Sequence, residues 1–183
     1  LTADIPMRRL LQGDVGSGKT LIGALAALHA KSNNWQTALL CPTEILAEQH
    51  FSSFLGWFEE IGIKVSLLTG STKSKERKLI IKDLEDGNID ILIGTHAIFQ
   101  IGIKFHKLGL TVIDEQHRFG VHQRFSMLEK GGISNQSPHQ LIMTATPIPR
   151  TLAMTVYGSL ETSIIDELPP GRNPVVTSSR PDS

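Results

Sequence analysis

Short apolar segments alternate along this chain with longer segments in which apolar residues recur at helical spacing. Six segments have the length and composition of strands: Arg8–Leu11, Thr37–Cys41, Lys64–Leu68, Ile89–Ile93, Leu110–Ile113 and Gln140–Met143. Three segments between them predict helices: Lys19–Lys31, Glu44–Phe58 and Lys73–Asp86, the last with Leu79, Ile80 and Leu84 facing inward and Gly87 at its end. Because strands this apolar are usually buried on both faces, we expect an α/β fold with a mostly parallel central sheet and helices on both faces.

The composition is that of a folded domain with a short tail. The chain has 183 residues, of which 40% are hydrophobic and 20% charged, and its 18 Lys and Arg balance 18 Asp and Glu. Zero net charge excludes a histone-like polycation, although it can hide a local basic groove. The Pro-, Gly- and Ser-rich residues 168–183 are interpreted as a linker after a domain at 1–167. Since residue 1 is Leu, we expect the chain to be a fragment of a longer protein.

The single cysteine and the lack of a long apolar run bear on where such a chain works. Cys41 excludes an internal disulfide framework, favours a reducing compartment such as the cytoplasm, and is interpreted as a buried core thiol. No apolar run approaches the roughly 20 residues that cross a bilayer, so we expect no membrane partner.

A glycine-rich segment lies between the first predicted strand and the first predicted helix. Its residues match the pattern G-x-x-x-x-G-K-[ST]: Gly13, Asp14, Val15, Gly16, Ser17, Gly18, Lys19 and Thr20. The glycines let backbone N–H groups point inward at phosphate oxygens, and the helix N-terminus adds partial positive charge. Lys19 supplies a charge for the β- and γ-phosphates, and Thr20 offers a hydroxyl to Mg²⁺. The segment therefore predicts a nucleotide site.

Polar residues also follow two other predicted strands. Asp114 and Glu115 come directly after Leu110–Ile113, where the first would hold the hydration shell of Mg²⁺ and the second would activate the attacking water. An acidic pair can equally cap a helix, so this assignment depends on the phosphate loop. Thr144 and Thr146 come after the last predicted strand, where their hydroxyls can hydrogen-bond the acidic segment.

Together these segments resemble motifs I, II and III of superfamily 2 helicases. The motif residues are Lys19-Thr20, Asp114-Glu115-Gln116-His117 and Thr144-Ala145-Thr146. Longer strings closely resemble the RecG type of branch-migrating helicase: LLQGDVGSGKT at 10–20, DEQHRFGV at 114–121 and MTATPIPRTLA at 143–153. The resemblance implies a RecA-like domain that binds ATP and Mg²⁺ and is the first of two motor domains.

The same resemblance implies roles for single residues. It makes Glu115 and Lys19 catalytic and gives Thr20 and Asp114 to the metal. The residues expected to couple hydrolysis to movement are Gln116, His117, Thr144 and Thr146. The residues expected to contact the DNA backbone, in loops that alone would be read as polar turns, are Thr43, Gly70, Thr95 and His96.

The implied partners are branched DNA, namely replication forks and Holliday junctions, and further domains of the same protein. A second RecA-like domain would supply the arginines that complete the ATP site, and a wedge domain would recognise the DNA branch. The resemblance also implies a monomer that acts on the bacterial nucleoid.

Two alternatives stay open at this point. Transcription-repair coupling factors share HRFGV and TATPIPRTL with this chain, but they usually carry Glu at the position of Gln116. A nucleotide-binding module that never turns over ATP would also carry the phosphate loop.

Overall fold

A computed structural model describes residues 6–100, 102–114, 137–146 and 160–166. The strands are Arg8–Gly13 (β1), Gln36–Leu40 (β2), Val65–Leu68 (β3), Ile91–Gly94 (β4), Leu108–Asp114 (β5), His139–Thr144 (β6) and Glu161–Ile165 (β7). The helices are Lys19–Ser32 (α1), Glu44–Phe58 (α2) and Ser74–Glu85 (α3), with a 3₁₀ turn at His96–Phe99 (η1). Within these ranges no helix combines the length and apolarity needed to cross a membrane. The predicted linker at 168–183 lies outside the described residues.

The described strands form one sheet in the order β3-β4-β2-β5-β6-β1-β7. Every neighbouring pair is parallel, from β3 with β4 at one side to β1 with β7 at the other. The α/β prediction with a parallel central sheet is therefore confirmed. Because the strands are parallel, the segments that follow their carboxyl ends gather at one edge of the sheet.

Apolar side chains cover both faces of the sheet. Neighbouring residues of a strand point to opposite faces, so Leu39 packs in one core cluster and Leu40 in the other. Helices α1 and α2 pack on the face of Leu39, whereas α3 and η1 pack on the face of Leu40. Right-handed crossovers explain this division, since the chain moves toward β3 through α1 and α2 and returns through α3 and η1.

One helical prediction is wrong in detail. Leu79 was expected to face inward from α3, but its side chain is 57% exposed, whereas Leu84 is buried and Ile80 and Ile81 pack against the core. Leu79 and Leu84 are five residues apart, and at roughly 100° per residue they lie about 140° apart around the helix. The apolar stripe of α3 is therefore narrower than the predicted one and consists of Ile80, Ile81 and Leu84.

Strand β7 was not predicted from the sequence. It pairs with β1 at the edge of the sheet, and each of its residues is either exposed or half-buried. Arg9 of β1 donates hydrogen bonds to Ser163 and Glu161, so polar contacts contribute to this pairing. An edge strand with such contacts lacks the apolar run by which the central strands are recognised.

Two glycine substitutions test the sheet and helix packing. A Cβ on Gly94 would lie 1.9 Å from the carbonyl oxygen of Leu68 and 2.6 Å from Cγ2 of Ile98, so Gly94→Ala should lower the free energy of unfolding by about 3 kcal/mol. A Cβ on Gly56, on the exposed side of α2, meets no described atom within 4 Å, so Gly56→Ala should raise it by about 0.5–1 kcal/mol. Urea denaturation measures both, and equal effects would contradict this packing.

Candidate functional site

The glycine-rich segment forms a loop between β1 and α1. Strand β1 ends at Gly13, and α1 begins at Lys19. Gly16 and Gly18 have φ angles of 82° and 89°, in the left-handed region that a residue with a Cβ rarely adopts. The backbone N–H of Ser17 donates to the carbonyl of Asp14 at 3.1 Å and closes the loop. The strand, loop and helix context expected of a phosphate loop is present.

The N-terminus of α1 is suited to an anion. Its N-cap residue is Gly18, which provides no side-chain hydrogen bond, and the first turn contains no acidic residue. The positive end of the helix dipole is therefore not neutralised by a local side chain. The hydroxyl of Ser17 is buried beside it and has no hydrogen-bond partner among the described residues. Backbone N–H groups and an unpaired hydroxyl together match the oxygen atoms of a phosphate.

Lys19 folds back over the loop. Its Nζ donates to the carbonyl oxygens of Gly13 at 2.7 Å and Asp14 at 2.8 Å. These contacts hold the ammonium group against the backbone of the loop that the sequence predicts to bind phosphate. Gly13 has little room for a side chain, since a Cβ there would lie 2.6 Å from Oγ of Ser17.

The ends of β1, β6 and β5 lie side by side. Gln12 of β1 pairs with Thr144 of β6, and Met143 pairs with Asp114 of β5. The structure thus brings together the phosphate loop, Asp114 and Thr144, as the sequence predicted. The Oγ1 of Thr144 accepts a hydrogen bond from the backbone N–H of Thr146 at 3.1 Å. The other predicted members of this group lie outside the described residues: Glu115, Gln116 and His117.

The donor set fits Mg²⁺ held mainly by phosphate and water. No group of three or more His, Cys, Asp or Glu side chains that could hold a metal occurs in the described part of the chain. Thr20, at the second position of α1, and Asp114, at the end of β5, offer one oxygen-bearing side chain each. Mg²⁺ usually keeps several waters and takes few protein ligands when a nucleotide is present, so this arrangement suits Mg²⁺ with ATP.

Sequence reasoning missed a partner of Asp114. Nε2 of His50, on α2, lies 2.8 Å from Oδ2 of Asp114, and the two side chains are only 11% and 12% exposed. His50 belongs to the buried side of α2 with Ala47, Phe54 and Phe58. A histidine within an otherwise apolar helical stripe was the available signal, because a buried polar side chain requires a partner.

Cys41 is confirmed as a core thiol. It directly follows β2 and is fully buried. Burial raises the pKa of the Cys41 thiol far above its ordinary value, and the negative charge of Asp114 raises it further. The thiol is therefore neutral and unreactive at ordinary pH.

The four predicted DNA contacts follow the strands of the other half of the edge. Thr43 follows β2, Gly70 follows β3, and Thr95 and His96 follow β4. Thr43, Gly70 and His96 are exposed, whereas the Thr95 side chain is 4% exposed and its hydroxyl has no hydrogen-bond partner among the described residues. Three of the four residues are therefore accessible to a ligand at this edge.

Glu44 connects two of these loops. Its carboxylate accepts hydrogen bonds from the backbone N–H of Ser71 at 3.1 Å and from the Ser71 hydroxyl at 2.8 Å. Thr43 caps the same helix, accepting from the N–H of Leu46 at 3.3 Å. The start of α2 and the loop after β3 are thus held together.

A model of the DEAD/DEAH box helicase family matches residues 6–155. The chain belongs to this family. The match spans the phosphate loop, the acidic pair and the threonine segment, so the motifs and the fold point to the same family.

Curated relatives refine the comparison. Over 183 residues the chain is 57% identical to the ATP-dependent DNA helicase RecG of Escherichia coli (strain K12), covering all of this chain and 26% of that protein. Over 177 residues it is 59% identical to the RecG of Pasteurella multocida, covering 97% of this chain and 26% of that protein. The resemblance to RecG-type helicases is confirmed, and the chain spans about a quarter of the length of these relatives.

Solved structures agree with this result. The structure of RecG bound to a three-way DNA junction superposes with a TM-score of 0.79 at 45% sequence identity, covering 94% of this chain and 22% of that one. The structure of the helicase MrfA bound to DNA shares the fold, with a TM-score of 0.68 at 22% sequence identity. The superposition covers 88% of this chain and 25% of the MrfA chain.

The buried thiol allows a direct test of the site's interior. At about pH 8.5, where about half of an unperturbed thiol is ionised, Cys41 in the folded chain should react with a thiol reagent more than about 100-fold slower than in the unfolded chain. Spectroscopic labelling with and without denaturing urea measures the two rates. Because the pKa is raised by folding, the stability that this thiol contributes should fall as the pH rises above the ordinary thiol pKa. Similar labelling rates in the two states would contradict the buried position.

Proposed function

We propose that this chain is the ATP-binding motor domain of a RecG-type helicase, which couples ATP hydrolysis to branch migration and replication-fork reversal. The observation that carries the proposal is the phosphate loop and Asp114 on either side of Thr144 at one edge of the sheet. Similarity to RecG proteins over nearly the whole chain supports the same assignment.

The residues at the nucleotide half of the edge have three different roles: binding phosphate, holding Mg²⁺ and activating water. The loop N–H groups, the Ser17 hydroxyl and the N-terminus of α1 bind phosphate oxygens, and the Lys19 ammonium exchanges its two carbonyl partners for them. Thr20 would hold Mg²⁺ and Asp114 would hold its water shell, and the ion when bound would supply positive charge against the phosphate oxygens. Glu115 orients and deprotonates the attacking water.

The other half of the edge contacts DNA without reading its sequence. Thr43, Gly70 and His96, the three exposed residues of the four, contribute hydroxyl, backbone and imidazole groups suited to phosphates, and such contacts position a duplex without specifying bases. Thr95, whose side chain is buried, is assigned a backbone contact only. The proposed substrates are replication forks and Holliday junctions, in line with the RecG structure on a three-way junction. The second RecA-like domain and the wedge domain belong to the same protein, which acts as a monomer on the bacterial nucleoid in the cytoplasm.

Nucleotide binding tests the proposal most directly. Lys19→Ala should weaken ADP binding in the presence of Mg²⁺ at least about 30-fold, the equivalent of about 2 kcal/mol. The reason is that the variant lacks the positive charge that attracts the phosphate groups. Isothermal titration calorimetry on this chain measures the affinity. Lys78→Ala, which removes an exposed lysine from α3, is the matched control and should bind as the parent does.

The outcomes separate the proposal from its alternatives. A parent chain that gives no heat with ATP or ADP at millimolar concentration would contradict it. If the full-length protein binds ATP but does not hydrolyse it, the result would instead favour the alternative of a nucleotide-binding module without turnover.

The coupling role of the threonine segment predicts a split between two activities. In the full-length protein, Thr144→Ala combined with Thr146→Ala should leave ATP binding nearly intact and retain DNA-stimulated hydrolysis, while branch migration falls several-fold. The reason is that Thr144 lies between the phosphate loop and Asp114 and braces the turn through the N–H of Thr146. Gln116 and His117 are expected to act with them.

The decisive comparison is the ATPase rate against the branch-migration rate on the same DNA. Thr162→Ala, on the β7 side of the sheet, is the control and should change neither rate. A proportional fall of both rates in the double variant would show that the segment only maintains the fold.

A further inference from the structure

His50 occupies a place that an apolar residue would ordinarily fill. Its neighbours on the buried side of α2 are Ala47, Phe54 and Phe58. The rings of Phe54 and Phe58 pack edge to face, with their centroids 5.6 Å apart. Burying an imidazole there without a hydrogen bond would be costly. The cost is offset by one contact, from Nε2 of His50 to Oδ2 of Asp114 at 2.8 Å.

The identity of the partner makes this contact more than core packing. Asp114 ends β5 at the edge that carries the phosphate loop, and its carboxylate is the group assigned to the hydration shell of Mg²⁺. A carboxylate whose Oδ2 accepts from a fixed imidazole is held in one rotamer, with Oδ1 as its second acceptor.

The histidine is itself held in place by its helix. Thr43 caps α2, Glu44 binds the Ser71 loop, and Phe54 and Phe58 anchor the middle and the end of the helix in the core. His50 lies between these anchors and its side chain is only 11% exposed, so its backbone is fixed and its imidazole has little room to follow a rotating carboxylate. The hydrogen bond therefore constrains Asp114 rather than the reverse.

We propose that His50 is a positioning residue, which orients the Asp114 carboxylate for the water shell of a nucleotide-bound divalent cation. The inference rests on the proposed function, because it requires that Asp114 face Mg²⁺. Partners of this kind around metal-binding groups typically change metal affinity or activity by about 10–100-fold when they are removed.

Three variants of His50 separate positioning from packing. His50→Leu fills the space of the imidazole but has no hydrogen-bond donor. His50→Asn keeps a side-chain N–H, but the side chain is too short for it to reach Oδ2 of Asp114. His50→Gln is longer and places an amide N–H at about the position of the imidazole Nε2. His29→Leu, which replaces an exposed histidine of α1, is the matched control. For each chain, ADP affinity is measured by calorimetry across a Mg²⁺ titration and in EDTA, and thermal unfolding is followed in EDTA.

We expect the Leu and Asn variants to need about tenfold more Mg²⁺ than the parent for half of the Mg²⁺-dependent gain in ADP affinity. Their ADP affinity in EDTA should equal that of the parent, because the phosphate loop is intact. His50→Gln should restore most of the Mg²⁺ response, and His29→Leu should match the parent throughout. In an Asp114→Asn background, His50→Leu should add no further shift.

Different results would overturn the inference. A folded Leu variant with the Mg²⁺ response of the parent would show that His50 only fills the core. An equal loss of ADP affinity with and without Mg²⁺ would show a general distortion of the site. If His50→Leu does not fold, the comparison of His50→Asn with His50→Gln provides the test. Equal Mg²⁺ responses in these two variants would show that His50 does not position Asp114. A parent chain that binds no ADP at all would instead contradict the proposed function, and this inference would fall with it.

Discussion

Parallel pairing of the strands is the constraint on which the rest of this structure depends. Since each strand runs the same way as its neighbours, the segments after β1 to β6 emerge at one edge, although they are far apart in sequence. A parallel sheet must also be covered on both faces, which requires the helices and the two core clusters. The site is thus a consequence of the same pairing that builds the core.

The order of the strands divides that edge into two halves. Strands β5, β6 and β1 are consecutive and carry Asp114, Thr144 and the phosphate loop. Strands β3, β4 and β2 are also consecutive, and the loops after them carry the residues proposed to contact DNA. The boundary falls between β2 and β5, which are hydrogen-bonded neighbours. Groups of unlike chemistry are therefore separated along the edge and yet belong to one continuous sheet.

Much of this arrangement could be predicted from local sequence, and the rest depends on contacts that local sequence does not specify. Strands β1 to β6 and helices α1 to α3 were predictable because central strands and amphipathic helices leave patterns that follow from burial. Strand β7 left no such pattern, because it is half-exposed and held partly by Arg9. The contact between His50 and Asp114 joins residues 64 positions apart and requires β2 to lie beside β5, an order that no local pattern reveals.

Helix α2 makes side-chain hydrogen bonds to both halves of the edge. Its first residue, Glu44, binds Ser71 in the loop after β3, on the half proposed to contact DNA, and His50 binds Asp114 on the half that carries the phosphate loop. The two residues are six positions apart, or about 9 Å along a helix, and the backbone between them is rigid on that scale. A displacement of the Ser71 loop that carries Glu44 with it must therefore move His50 or strain its bond to Asp114. Under the proposed function, α2 therefore provides a second physical connection between the nucleotide and DNA sites, beside the threonine segment at the end of β6.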